Sequence, residues 1–342
     1  MGSRALAAFG LRFLLPVLAA LVVGGLLLLA FGADPIGYYA TVVERGLLSP
    51  IGLQASVTRS APLLLIAAGL IVAFRAGLWN LGADGQFLLA AVFVAAVAPP
   101  LAGRVPHWLM LPAAFAVGAA VAALWSLVPA LLKALEGVNE IVSTLMASFL
   151  GVSLANVLIK LPFNDPTTTV PQTATLAVDQ RLARFPGTTV HWGVLLGLVA
   201  VIAVHLLLER TAFGLRLRVL GENPRAARHV GLPVRRLTVA AFALSAGLIG
   251  LAGAVEVLGV QGSLRADWNP AYGLLVVPLV FLARLNGWAT IATVLFFAVL
   301  MIGGESAARR TGVPTYYLLV QVALMLLAFA AVRAVEARRG RG

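Results

Sequence analysis

Two acidic residues, Asp84 and Glu256, sit among apolar neighbours, and the amides Asn80 and Gln86 flank the first of them. A carboxylate inside a membrane segment is costly and normally faces a cavity, a cation or a cationic side chain. The chemistry these residues can do is therefore recognition of a polar solute rather than bond making. Asp84 belongs to the stretch Phe74-Arg-Ala-Gly-Leu-Trp-Asn-Leu-Gly-Ala-Asp-Gly-Gln86, where Gly77, Gly82 and Gly85 interrupt a helix and Asn80, Asp84 and Gln86 bring polar groups close to it. Broken helices of this kind line transport pathways, so Trp79, Asn80, Asp84 and Gln86 are read as bordering a solute path, with Arg75 as a partner for Asp84. The alternative is a solvated turn between the second and third spans, with Asp84 capping the next helix. Glu256 follows the small-residue run Ser245-Ala-Gly-Leu-Ile-Gly-Leu-Ala-Gly253, which lets helices approach closely. It either contacts solute or pairs with an arginine, or it is an interfacial carboxylate near water.

Catalytic and energy-using motifs do not occur. The only lysines are Lys133 and Lys160, and neither lies in a phosphate-binding loop. There is no Gly-x-Ser-x-Gly elbow and no His-Glu-x-x-His pair. Cysteine is absent, and His107, His191, His205 and His229 are far apart, so neither disulfides nor a Cys/His metal site is indicated.

The elements that must position these residues follow from composition. Of 342 residues 61% are hydrophobic and 11% charged, against roughly 45–50% apolar and about 25% charged in soluble domains, and the mean hydropathy is +0.99. The expected fold is an all-α polytopic membrane protein with about ten transmembrane helices and a broken segment near residues 74–86. Spans are expected near 11–31, 57–75, 86–102, 107–132, 140–159, 190–208, 237–260, 270–283, 288–303 and 315–333. The first apolar run, Phe13 to Phe31, exceeds a signal-peptide core and is read as a retained helix. The net charge of +12 comes from basic residues scattered between apolar runs, which serve as topology signals rather than a nucleic-acid surface. With both termini cytoplasmic, sixteen of the twenty-five Lys and Arg fall on that side, as the positive-inside rule asks.

The cytoplasmic stretch 209–236 carries a short helix of its own. Asn223 suits the N-cap, Pro224 the first helical position, Gly231 the left-handed position after the end, and Pro233 blocks continuation. A helix confined to Pro224–Val230 is not stable alone in water, so it packs on neighbours or docks on a partner. The alternative is a plain positive-inside loop.

Three segments, Phe74 to Gln86, Gly137-Val-Asn-Glu-Ile-Val-Ser-Thr-Leu-Met146 and Gly221-Glu-Asn-Pro-Arg-Ala-Ala-Arg-His-Val-Gly231, resemble signature segments of ABC importer permeases of the branched-chain amino acid and simple-sugar family. The nucleoside and simple-sugar branch is the nearest in pattern, and Gly250-Leu-Ala-Gly-Ala-Val-Glu-Val-Leu-Gly-Val-Gln-Gly262 fits it. Asp84 stands where that branch commonly carries Glu. The resemblance spans about residues 10 to 335 and implies one transmembrane permease domain, 1–342, containing a cytoplasmic coupling loop, 209–236. It implies that Gly221, Asn223, Pro224, Ala226, Ala227 and Gly231 form the element that seats on an ATPase. The implied partners are an ATP-binding cassette ATPase, which uses the ATP, a second permease (a related but different chain) and an extracytoplasmic substrate-binding protein. The implied location is the bacterial inner membrane, with no cofactor on the chain itself and no nucleic acid. The expected function is import of nucleosides or simple sugars by alternating access. The alternative from another class is a secondary transporter driven by an ion gradient, with Asp84 and Glu256 as its ion-binding acids.

Overall fold

The computed structural model describes residues 3–314 and 316–339; of the C-terminal basic residues counted above, Arg341 lies outside the described set. Among the described residues the fold is all-helical, with no named strand and two isolated bridges. In chain order the α-helices are α1 (Ser3–Ala30), α2 (Pro35–Val43), α3 (Pro50–Arg75), α4 (Ala83–Ala102), α5 (His107–Leu131), α6 (Glu140–Lys160), α7 (Gly193–Arg210), α8 (Ala212–Glu222), α9 (Pro224–His229), α10 (Val234–Val255), α11 (Tyr272–Leu282), α12 (Gly287–Thr311) and α13 (Tyr317–Arg339). Short π-helical turns extend α5 over Leu132–Glu136 and α10 over Glu256–Gln261.

Seven helices among the described residues are long and apolar enough to cross a membrane, so the chain is a multi-pass membrane protein. The span expected at 270–283 needs correction. Its helix, α11, has 11 residues, which reach about 17 Å at 1.5 Å each, short of the roughly 30 Å hydrocarbon core. Apolarity alone placed a full span there because hydropathy does not register where the backbone leaves the helix. The terminal helices α1 and α13 have 28 and 23 residues, each long enough to span the hydrocarbon core.

The chain divides into two compact units. The first comprises residues 1–57 and 295–342. In it α1 packs on α13, and the Tyr39 hydroxyl donates to the Leu21 carbonyl while Tyr317 donates to Gln321 Oε1. The second unit, Thr58–Val294, holds every residue singled out for function. There α10 lies against α5 and α4, and α4 against α5 and α6.

Small residues make this packing close. A Cβ on Gly250 would collide with the Gly118 carbonyl of α5, and one on Gly253 would press on the Phe87 carbonyl of α4. The run Ser245–Gly253 thus acts as read, since van der Waals contact between backbones replaces the hydrophobic drive that lipid removes. The part of α3 within this unit is its most enclosed helix, with every residue from Leu63 to Ala68 fully buried.

Candidate functional site: a buried link, a half-length helix and an exposed knob

Between α3 and α4 the backbone leaves the helix for residues 76–82. Gly77 makes this turn at φ +70°, a left-handed conformation that costs a residue with a Cβ about 1–2 kcal/mol. The link is not a solvated turn. Asn80 is fully buried, Gln86 is 1% exposed and Asp84 is 7% exposed. Buried polar groups must be hydrogen-bonded, and these satisfy one another. Asn80 Nδ2 donates to Gln86 Oε1 (3.1 Å) and to Ser245 Oγ of α10 (3.0 Å), while Gln86 Nε2 and the Gly82 amide donate to Asn80 Oδ1. Neighbouring amides turn to α6, Leu81 N–H to Thr144 Oγ1 and Gly85 N–H to Ser148 Oγ, each at 3.1 Å.

Asp84 does not cap its own helix. Its carboxylate accepts from the amides of Gly273 (2.6 Å) and Leu274 (3.4 Å), the first turn of α11. The first N–H groups of a helix lack intrahelical partners and carry its positive dipole end, so a carboxylate there is stabilising by up to about 2 kcal/mol when partly buried. Arg75 is not its partner. Arg75 Nη2 lies 3.4 Å from Glu209 Oε1 at the end of α7, and Arg218 of α8 pairs with the same glutamate at 3.3 Å. The pairing expected from sequence fails because α3 ends at Arg75 and the link turns Asp84 towards α11. At the other end of α11, Phe281 stacks on Phe74 (4.7 Å between centroids) and meets the Trp79 ring at 5.2 Å. The half-length helix therefore lies along the link, held by a carboxylate at its start and by aromatic rings at its end.

Glu256 is 1% exposed and accepts from Gln261 Nε2 at 3.0 Å, within the π-helical turn that ends α10. It also feels the charge of Arg59 on α3, whose guanidinium donates to the Tyr272 hydroxyl. Tyr272 precedes Gly273, so the two acids approach the start of α11 from different directions. Arg59, Tyr272 and Gly273 were not singled out from sequence. The legible signal was Arg59 itself, a charge within an otherwise apolar span. That Gly273 supplies the donor for Asp84 has no sequence signature, because any non-proline residue carries an amide.

The predicted short helix forms over Pro224–His229. Asn223 Oδ1 accepts from the Arg225 and Ala226 amides, both at 3.0 Å. Gly231 takes φ +78°, and the Leu232 amide returns to the Ala227 carbonyl, closing the end as a left-handed cap. Ala227 is fully buried and fastens the helix, while Val230 is 70% exposed. Arg225, Ala226 and Arg228 are exposed as well. Gly221, at the end of α8, lies against the backbone of the link: its Cβ position falls on Arg75 O, Gly77 N and Ala76 C, and that of Gly77 lies 2.9 Å from Gly221 Cα. Two glycines thus bring the knob and the link into backbone contact.

Comparison with known proteins places the whole chain. The chain is 33% identical over 324 residues to the glucose ABC transporter permease protein TsgB13 of Haloferax volcanii, covering 92% of this chain and 85% of that one. It is 26% identical to the guanosine ABC transporter permease protein NupP of Bacillus subtilis, over 96% of this chain and 95% of that one. The nucleoside ABC transporter permease protein NupB of Lactococcus lactis is 23% identical, over 94% and 91% of the two chains. Residues 52–329 match the family described as branched-chain amino acid transport system / permease component, and the chain belongs to that family.

Proposed function

We propose that this chain is the membrane-spanning permease subunit of an ATP-driven importer that moves nucleosides or simple sugars by alternating access. The observation that carries the reading is the Gly77–Gly221 backbone contact. It joins an exposed, capped helix to a buried break in a membrane helix, so a push on one is felt by the other without a flexible side chain between. In this reading Asn223, Pro224, Ala226 and Gly231 seat on a separate ATPase subunit that binds and hydrolyses ATP, while the buried Ala227 and the link-facing Gly221 hold that element to the rest of the chain. The motion passes through residues 76–82 to Asp84 and α11. Trp79, Asn80, Asp84, Gln86 and Glu256 frame the path, and the rest of the machine is a second, related permease and an extracytoplasmic binding protein. The chain would lie in the bacterial inner membrane with both termini in the cytoplasm and would perform no chemistry itself. A gradient-driven carrier needs acids open to an ion; here Asp84 is held by two amides and Glu256 by Gln261.

Gentle purification of the tagged chain from its native membrane, with mass spectrometry of what accompanies it, tests the assembly. Stoichiometric recovery of a Walker-motif ATPase and a second permease is expected. Recovery of the chain alone across several detergents, together with uptake that resists ATP depletion and collapses with an uncoupler, would overturn it.

A further inference from the structure

The backbone between α10 and α11 passes through a loop that the roles above do not use. Gln261, Ser263, Arg265, Asp267 and Trp268 line a cavity of about 380 Å³, within the roughly 300–1,000 Å³ range of small-molecule sites. The cavity sits at the far end of α10 from the coupling knob, which precedes that helix in the chain. Its wall is held from behind. The Thr173 amide donates to the Leu264 carbonyl (2.9 Å), the Leu176 amide to Gly262 (2.8 Å) and the Ala266 amide to Pro171 (2.9 Å). This clamp fixes the backbone of 262–266. Asp267 and Ala271 stand at φ 63° and 52°, left-handed conformations that non-glycine residues hold only where the surroundings impose them, and such strain clusters at ligand sites.

The lining also shows which hydrogen-bonding groups are spent. Asp267 is engaged twice by Lys160 Nζ, at 3.0 and 3.2 Å, and its amide donates to Asn156 Oδ1. Gln261 Nε2 is committed to Glu256. By contrast, the Arg265 guanidinium, the Trp268 indole N–H and the Ser263 hydroxyl have no hydrogen-bond partner among the described residues, and Gln261 Oε1 is likewise open. The open hydrogen-bonding groups are mostly donors, and two of them belong to planar π systems, the guanidinium and the indole, whose ring also meets Phe87 of α4 at 6.3 Å between centroids. A sugar hydroxyl both donates and accepts, so donors alone do not separate a sugar from a heterocyclic base. A sugar ring, however, offers no flat π face to a guanidinium, and the Asp267 carboxylate is engaged by Lys160. A heterocyclic base presents carbonyl oxygens and ring nitrogens as acceptors on a flat face that stacks on indole and guanidinium alike.

We propose that the Gln261–Trp268 cavity is a binding station on the permease for the base of a nucleoside, with Trp268 as the stacking platform and Arg265 and Ser263 as donors to the base edge. This rests on the importer reading and narrows its substrate to the nucleoside class. A base docked there would lie one hydrogen bond from Gln261 and two from Glu256, so the station adjoins the buried network that reaches α11.

The test uses the full chain in lipid nanodiscs, irradiated with tritiated 8-azidoadenosine and digested for mass spectrometry. Label is expected on the Gln261–Trp268 segment, displaced by excess adenosine and not by glucose. Trp268→Ala should lower it at least tenfold and Trp268→Phe, which keeps a flat ring, less than threefold. Arg265→Gln alters an exposed side chain that holds nothing else in place, so it leaves folding intact and should lower label several-fold. Label elsewhere, equal displacement by glucose, or indifference to both Trp268→Ala and Arg265→Gln would overturn the proposal. ATP-driven uptake of adenosine and glucose by membranes holding the whole importer is measured in parallel. Failure of both uptakes counts against the importer reading, whereas adenosine uptake with label elsewhere counts against this cavity alone.

Discussion

At the link between α3 and α4, Asn80, Gln86 and Ser245 hydrogen-bond among themselves, and the Leu81 and Gly85 amides turn to α6. In the loop at 262–271 the backbone is clamped from one side, while an arginine, an indole and a hydroxyl are left open. Both are irregular stretches between apolar helices, where a backbone group without a partner costs several kcal/mol. One meets that requirement in part with the side chains of Asn80, Thr144 and Ser148, and its buried amides are thereby committed. The other shares the task between backbone of the 171–176 segment and the side chains of Thr173, Asn156 and Asn269, and does not call on Ser263, Arg265 or Trp268. Irregular backbone in a membrane protein can therefore be a frame or a binding surface, and whether the stretch's own side chains are called on to satisfy it decides which.

The largest expected effect comes from breaking the frame where it meets the knob. Gly221→Val places side-chain carbons inside the backbone of residues 75–77. ATP-driven uptake should fall at least tenfold, whereas Gly103→Val, which meets nothing within 4 Å, should leave uptake and membrane insertion unchanged. Normal uptake by Gly221→Val would show that the contact transmits nothing.

The next effect concerns the clamped side. His191, just before α7, is fully buried, its Nδ1 accepts from the Gly193 amide, and Nε2 is unpartnered beside Gly259. Burial, with the nearby Arg184 charge, pulls its pKa from 6.5 down to about 4. Above pH 6.5 the imidazole is neutral folded and unfolded alike, and no penalty applies. As pH falls from 6.5 towards 4 the unfolded chain takes up a proton that the folded one refuses, so stability is lost on the order of 3 kcal/mol. Thermal unfolding of the detergent-solubilised chain at pH 7 and pH 4.5 should show this loss, and His191→Gln should lack that component of it.

A smaller effect is expected at the start of α11. Asp84→Ala leaves the Gly273 amide without an acceptor, costing about 1–3 kcal/mol, and uptake should fall with it. Asp84→Asn keeps a carbonyl oxygen in place and should retain most of the stability. If both variants transport at the wild-type rate with equal expression, Asp84 frames nothing that moves. The smallest effect is at the knob's cap, where Asn223→Ala removes an acceptor for two amides and should cost about 1 kcal/mol. Because that helix is exposed, the loss should read out as weaker ATPase retention in co-purification more than as a lower unfolding temperature.

Much of this was legible in the residues. Apolar runs located the helices, and Asn223, Pro224 and Gly231 delimited α9 to within one residue because capping is local chemistry. The glycines of 74–86 marked a break that the structure contains. Hydropathy could not tell a full span from a half, so α11 was taken as crossing the membrane. Nor could it place the donor-rich cavity, although Gln261 to Pro278 stands out in the sequence as an irregular outer loop leading into a short span.

The sequence by itself determined that the chain is helical, lies in a membrane, carries its acids in apolar surroundings and exposes a pre-capped helix. These depend on side-chain transfer energies and on interactions within a few residues. Only the tertiary structure decided that Asp84 serves α11 rather than α4 or Arg75, that Gly77 meets Gly221, and that Arg265 and Trp268 stay open while Asp267 does not. Those outcomes depend on which backbone amides and carbonyls arrive from distant segments, and every residue type but proline offers the same ones.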